Sequence, residues 1–495
     1  MVRIKRELMN RSTPLLDWAF SQPRRDCIVT QDERYTFEDV RAAIVGAATA
    51  LADHVGVGTR VGLFIDSTPN FVLYEYAAFY LGAVVTPINR TMKQDEVHRL
   101  VQRLDITVVV SDAEIDLGEG VHMVVVRGEF DAPHTAAPVV PAELGPDDPA
   151  VLLQTSGSTG EPKGVLLAVR NLVANYDATY RWIGVGKDDT ILLALPIFNT
   201  YALNQGVNMM AMSGATMHLL RRFSPENVAK ALAASRPTLL PLVPTMMTRL
   251  RHAEVHYDGP IKVGIAAAPS PSKIASDVWH VFPHAHLYYG YGLTEATAIV
   301  SLNHIGTPDD RHDDLVSTGP IVSGIQVRID APSGEDGRGE VLVKGDPVLR
   351  GYIGTDEPIP VTDGWLHTGD VGVLAKGRLT IVDRIRDLII RGGQNIYPGE
   401  VERVLTTHPA VLDAAVVGRP DPDMGEIPVA FVVRRRGFDA WPEELHAWAA
   451  ERLASFKVPV EIRVEDDLPR TATGKIRKLD LREIDPTTPS GLEDV

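Results

Sequence analysis

The stretch LLQTSGSTGEPKGVLLAV, Leu152 to Val169, crowds together the residue types that can hold a polyanion. Gly157, Gly160 and Gly164 allow unusual dihedrals and close backbone approach. Thr155, Ser156, Ser158 and Thr159 carry hydroxyls, and Lys163 adds a cation. Backbone N–H groups gathered in a concave loop beside one ammonium form a cradle for phosphates. The Walker A pattern fails here, because Pro162 stands where its second glycine belongs and Gly164 where its magnesium-binding hydroxyl would be. Apolar residues follow at once, so the loop is expected to join strand to strand rather than strand to helix. A flexible surface loop is the plain alternative, and the composition favours phosphate.

The elements that must position this loop follow an alternating pattern. RVGLFI (60–65), VVTPIN (84–89) and TVVVSD (107–112) read as buried strands. NFVLYEYAAFYLGA (70–83) and QDEVHRLVQRL (94–104) read as helices between them. A helix opens at the Thr36/Asp39 capping box and is expected to end at Gly56. After the loop come a helix near 171–182 and strands at 190–196 and 238–244, where Pro237, Pro241 and Pro244 suit strand ends and loops. Such alternation predicts an α/β fold with doubly wound parallel sheets. From about residue 317 short glycine-punctuated strands predict a β-rich subdomain. Beyond Asp383–Asp387 a small α+β domain is expected, which divides the chain into 1–385 and 386–495.

Composition narrows the class. The chain has 495 residues, 44% hydrophobic and 23% charged, as in an ordinary globular protein. Its net charge of −16 argues against nucleic acid as a partner. No apolar run reaches 18 residues and no signal peptide is legible, so no integral membrane contact is expected. One cysteine, Cys27, leaves no internal disulfide and fits a reducing, cytoplasmic setting.

Four further motifs, YYGYGLTEAT (288–297), GWLHTGD (364–370), DRIRDLIIRGGQNIYP (383–398) and PRTATGKIRK (469–478), stand with the glycine-rich loop in one order. In this order and spacing the chain resembles the AMP-forming adenylating superfamily of acyl- and aryl-CoA synthetases, peptide-synthetase adenylation domains and beetle luciferases. The resemblance runs along essentially the whole chain. It implies that the loop, Thr155 to Gly160 with Lys163, holds the β- and γ-phosphates of ATP. It also implies a small C-terminal domain that moves between two half-reactions.

Residue by residue, the resemblance implies that Glu295 binds magnesium and Thr294 meets a nucleotide phosphate. Tyr291 would stack on adenine, with Tyr289, Gly290 and Gly292 beside it. The run Ala266, Ala267, Ala268, Pro269 would lie along adenine and the acyl group. Asp370 would grip the ribose hydroxyls with Arg384 as its neighbour, although a structural salt bridge would explain both. Lys475 would be the catalytic lysine, Arg386 the hinge, and Gly392 and Gly393 the lining of the pantetheine path. Arg386 departs from the usual aspartate or lysine. A second departure is Asn199, which follows Phe198 where the family often has histidine. Neutral Asn199, Thr200 and Asn204 could bind a hydroxyl or carbonyl of the acid, or could simply satisfy backbone groups. The methionines at 209, 210, 212 and 217 suit either an adaptable acyl lining or a core helix.

The implied activity is conversion of a carboxylic acid and ATP to acyl-AMP, with magnesium, then transfer to coenzyme A. The nearest rival is a stand-alone enzyme that loads a carrier protein. A P-loop ATPase, a luciferase-like oxidoreductase and an acyl-nucleotide-binding protein without turnover are more distant ones. An acyl carrier protein and a second copy of the chain stay open as partners.

Overall fold

The computed structural model describes residues 13–131, 139–156, 162–266, 271–310, 315–333, 337–435, 437–438, 441–470 and 476–484. Contacts divide the chain into two compact units. The first is Met1–Ala268, Ser272–Val327 and Val343–Leu366; the second is Pro269–Pro271, Arg328–Leu342 and His367–Val495.

The first unit holds two sheets, as alternation of strands and helices predicts. One has eight strands in the order Ala298–Gly306, Ala285–Leu293, Ile261–Ala266, Leu239–Leu242, Thr190–Leu193, Thr216–Leu219, Asp26–Val29 and Arg34–Thr36. Its inner pairings are parallel, and only the two end pairs run antiparallel. The other has seven strands in the order Gly351–Ile353, Pro162–Ala168, Pro149–Ser156, Val84–Pro87, Arg60–Phe64, Val108–Ser111 and His122–Val125. The helix Pro69–Tyr80 is buried at every residue, which suits its near-continuous apolar sequence. Its buried Asn70 is satisfied by the carbonyl of Gly128 and the N–H of Asp131.

Two local expectations are corrected. The helix that starts at the Thr36/Asp39 box runs Phe37–Leu51 and stops before Gly56, capped at Ala52. Pro241 lies inside the strand Leu239–Leu242 rather than at its end. It is tolerated because that strand meets Thr190–Leu193 only at Leu239↔Ile191, so no N–H is called for at Pro241 on that side. Pro244 opens the helix Pro244–His252 at its first turn, where a missing N–H costs nothing.

The second unit carries a five-stranded sheet, Gln394–Ile396, Ile389–Arg391, Gly425–Arg434 and Val411–Asp421 in order, with Glu461–Glu465 also on Gly425–Arg434. The helices Pro398–Thr406 and Pro442–Ala450 contribute Val401, Leu405, Leu445 and Ala449 to its core. A charged pair is buried there as well. Lys478 Nζ lies 2.7 Å from Glu402 Oε1, with the two side chains 19% and 11% exposed. Glu402 also accepts from the N–H of Val416. Burial pushes the Glu402 carboxyl up, and Lys478 opposes that. Replacing Lys478 by Met strands a buried carboxylate, so amide protection at Val416 should fall by ~3–5 kcal/mol in native-state hydrogen exchange. Protection equal to wild type would show that the pair is not what closes this core.

Candidate active site

The glycine-rich loop is the tip of an antiparallel hairpin, Pro149–Ser156 with Pro162–Ala168, so the strand–loop–strand reading holds. Thr155 and Lys163 face each other across its open end. The tip itself, Gly157, Ser158, Thr159 and Gly160, and the side chain of Ser156 lie outside the described residues. At the base of the tip, the hydroxyl of Thr155 is buried without a hydrogen-bond partner among the described residues. An orphaned hydroxyl costs free energy until something accepts from it. A phosphate oxygen is the acceptor that suits this place.

Lys163 is not a free cation here. Its Nζ is 2.6 Å from Glu357 Oε2 and 3.8 Å from the ring centroid of Tyr352. Neither partner was singled out in the sequence. Tyr352 pairs with Val165 in the short strand Gly351–Ile353, and its distance in sequence from Lys163 leaves no local signal.

The second motif ends the strand Ala285–Leu293 and turns through Thr294–Ala296. Gly292 is required there. A Cβ at 292 would sit 1.4 Å from the carbonyl oxygen of Ala298, where the pairing with Ala298–Gly306 shifts register. Thr297 and Ala298 both have positive φ, 58° and 100°, a strained pair directly after the Thr294–Ala296 turn. The buried Thr297 hydroxyl holds the turn by donating to the carbonyl of Pro347 at 2.6 Å. Glu295 is only half-buried, and the Tyr352 hydroxyl donates to its Oε1 at 3.3 Å. Burial, then the Glu295 and Glu357 carboxylates, push the Tyr352 phenol far above its ordinary value, so it keeps the proton it donates. The hydroxyls of Thr294 and Thr200 lie 3.3 Å apart. Carboxylate and hydroxyl oxygens on one turn are hard donors, the kind of oxygen ligand that magnesium takes. Tyr289 is buried, whereas Tyr291 is half-exposed. Ala266 pairs with Gly290 on the adjoining strand, and Ala267, Ala268 and Pro269 lie outside the described residues.

Of the polar residues after Phe198, Asn199 accepts from the N–H of Ala202 and so caps the next helix. Asn204 is buried and donates to the carbonyl of Thr297. Both therefore satisfy backbone groups. The segment Leu203–Asn208 is a π-helix, a form often found at functional sites. It carries a residue the sequence reading passed over: Gln205, whose Nε2 is buried without a partner among the described residues. So is Oδ1 of Asn175. Both residues, with Tyr176, Asn204, Met209 and Met212, line a crevice too narrow to admit water. Met210 and Met217 are core residues, with Met210 Sδ 3.7 Å from the buried Cys27 thiol.

In the second unit Asp370 and Arg384 stand opposite each other on paired strands. Arg384 Nε is 3.0 Å from Asp370 Oδ1, and the Asp370 side chain is 5% exposed. His367 pairs with Glu340 rather than standing alone. Gly392 and Gly393 form the two-residue turn between Ile389–Arg391 and Gln394–Ile396, both with positive φ, so the hairpin itself calls for glycine. Arg386 is exposed, its carbonyl receiving Arg482 at 3.4 Å. Lys475 lies outside the described residues.

A profile of AMP-binding enzymes matches residues 15–353, and one of the AMP-binding enzyme C-terminal domain matches 400–475. The chain belongs to the AMP-binding enzyme family. A feruloyl-CoA synthase from Amycolatopsis is 33% identical, covering 90% of this chain and 93% of that one. A 2-succinylbenzoate–CoA ligase from Bacillus mycoides is 30% identical, over 95% and 98%. Among solved structures, the o-succinylbenzoate coenzyme A synthetase of Bacillus subtilis with ATP and magnesium superposes with a TM-score of 0.84. That pair is 28% identical, over 95% of this chain and 99% of the other. The adenylating fold expected from the motifs is therefore the fold observed.

Within this AMP-binding enzyme the two glycines of YGYG face different constraints. A Cβ at Gly290 would meet Leu302 Cδ1 at 3.0 Å and the carbonyl oxygen of Ser301 at 3.2 Å, tight contacts that small shifts relieve, whereas at Gly292 the Ala298 carbonyl oxygen would lie at 1.4 Å. Gly292→Ala should weaken ATP binding, measured by calorimetry, much more than Gly290→Ala. Equal losses would mean that the Gly292–Ala298 approach does not shape the site.

Proposed function

We propose that this chain is an AMP-forming carboxylate–CoA ligase, and that the turn bearing Glu295 and Thr294, whose hydroxyl meets that of Thr200, is where it manages the phosphates. The observation that carries the reading is that arrangement in an AMP-binding enzyme whose relatives are named as CoA ligases. A carboxylate oxygen of the acid attacks the α-phosphorus of ATP, and the bond to pyrophosphate breaks. The sulfur of coenzyme A then attacks the acyl carbon of the adenylate, and AMP leaves.

Two anions must meet in the first step, so the chain's part is oriented donors and balancing charge. Thr155, Ser156, Ser158 and Thr159, with the N–H groups of Gly157 and Gly160, hold the departing phosphates. Glu295 would hold magnesium, which supplies positive charge to them. Tyr291 stacks on the adenine, with Ala267, Ala268 and Pro269 as flat walls, and Asp370 accepts from the ribose hydroxyls, with Arg384 paired to it. Lys475 offsets charge at the α-phosphate. Residues 386–495 then swing about Arg386 and bring Gly392 and Gly393 to the pantetheine arm. Coenzyme A is the acceptor in preference to an acyl carrier protein, and the lone buried Cys27 supports a cytoplasmic setting.

The acid is one with an oxygen remote from its carboxylate. Gln205 Nε2, a donor, and Asn175 Oδ1, an acceptor, support a hydroxyl there, since a hydroxyl can accept from the one and donate to the other. Met209 and Met212 are adaptable enough to let such a group enter. Gln205→Leu should lower kcat/KM about 3–10-fold more for an oxygenated ring acid than for its deoxy counterpart. Parallel losses for the two acids would reject the role.

The whole reading is tested by separating the half-reactions in Lys475→Ala. Acyl-AMP formation should fall by ~10²–10³, because one positioned charge has gone. Conversion of supplied acyl-AMP and coenzyme A to thioester, followed by mass spectrometry, should stay near the wild-type rate. A fall in both steps would make the lysine structural. Thioester only on a holo-carrier protein would overturn coenzyme A as acceptor.

A further inference from the structure

Three parts of the first unit converge on one aromatic ring. Tyr352 takes Lys163 Nζ on its face at 3.8 Å and points its hydroxyl at Glu295 Oε1, 3.3 Å away. Lys163 comes from the hairpin that bears the glycine-rich loop, and Glu295 from the turn after Gly292. The ring's own segment is fastened to both. The N–H of Leu349 donates to the carbonyl of Glu295 at 2.8 Å, and that of Arg350 to the carbonyl of Leu166 at 2.9 Å. Farther along, Glu357 closes the group on Lys163 at 2.6 Å, its N–H donating to the Thr355 hydroxyl.

The electrostatics assign the roles. Lys163 and Glu357 are largely buried, at 13% and 27% exposure, so their attraction is less screened than that of a surface pair. A charge already matched by a carboxylate at that distance and spread over a ring face has little left to offer a phosphate. What it does is fix the ring from above. The fixed ring then presents one O–H donor to one oxygen of Glu295. Magnesium demands near-octahedral geometry at short distance, so the orientation of a ligand carboxylate matters more for it than for a larger cation. Groups that orient a ligand typically contribute 10–100-fold to metal affinity.

We propose that Tyr352 is a positioning residue for the Glu295 carboxylate, and that Lys163 and Glu357 act through it by holding its ring, rather than by contact with phosphate. The proposal rests on Glu295 as the magnesium ligand.

The test measures binding rather than turnover. ATP affinity of the full chain is determined by calorimetry with and without magnesium, for wild type and Glu295→Gln, Tyr352→Phe, Lys163→Met and the double variant Tyr352→Phe/Lys163→Met. Thermal melting is used to confirm that each is folded. Tyr352→Phe should raise the magnesium midpoint for ATP binding about 10-fold, with little change in metal-free affinity. Lys163→Met should do the same, and the double variant should be no worse than either alone, because both remove one device. Should Lys163→Met prove unstable, Glu357→Gln takes its place, since it loosens the same ring.

A Tyr352→Phe midpoint equal to wild type, with Glu295→Gln shifted, would overturn the positioning role alone. A Glu295→Gln midpoint equal to wild type would remove the magnesium assignment and the proposal with it. Weaker metal-free ATP binding in Lys163→Met, additive with Tyr352→Phe, would return Lys163 to the phosphates and overturn its part.

Discussion

The carbonyl oxygen of Ala298 occupies the space that any side chain at position 292 would need. That close approach turns the chain back on itself immediately after a strand, and the positive φ of Thr297 and Ala298 completes the reversal. Thr294 and Glu295 therefore sit at a strand end as a short turn rather than continuing the sheet. In a mostly parallel sheet, strand ends are where ligands bind, because side chains and backbone N–H groups point out of the layer there. The strain of two non-glycine residues with positive φ is held by the Thr297 hydroxyl on Pro347 and by the Asn204 amide on Thr297.

From that turn the constraint spreads in two directions. Towards residues 345–357, backbone and hydroxyl contacts fasten the segment of Tyr352 to Glu295, and the same segment adds an edge strand to the hairpin of the glycine-rich loop. Towards residues 199–208, Thr200 meets Thr294, and the π-helix follows with its buried amides. The groups proposed to handle phosphate and to meet the acid are thus held by one turn. Such rigidity suits an in-line displacement, in which misplacement of about an ångström can cost ~10²-fold in rate.

Asn199 shows why residue type alone leaves a role open. Its polarity and place after Phe198 admitted either a substrate contact or a backbone partner, and its side chain is taken by the N–H of Ala202. Gly392 and Gly393 carry a similar ambiguity, since a two-residue hairpin turn requires them whatever else they do. Lys163 went the other way. In sequence it is the cation of a phosphate loop, while in the fold its charge is matched by a glutamate 194 residues away.

The sequence by itself determined the class of fold and the family, because both rest on local signals. Hydrophobic periodicity marked the strands and helices, and the glycine-rich loop, YGYGLTEAT, HTGD and the late lysine loop are each legible within a few residues. It also singled out Glu295, Thr294, Tyr291 and Asp370 as candidates by motif. The tertiary structure decided what those groups touch. Tyr352, Glu357, Gln205 and Asn175 stand in no motif, and their parts arise from contacts between segments far apart in the chain. Pairing of charges and satisfaction of buried polar atoms depend on distances in space, and periodicity along the chain does not encode those distances.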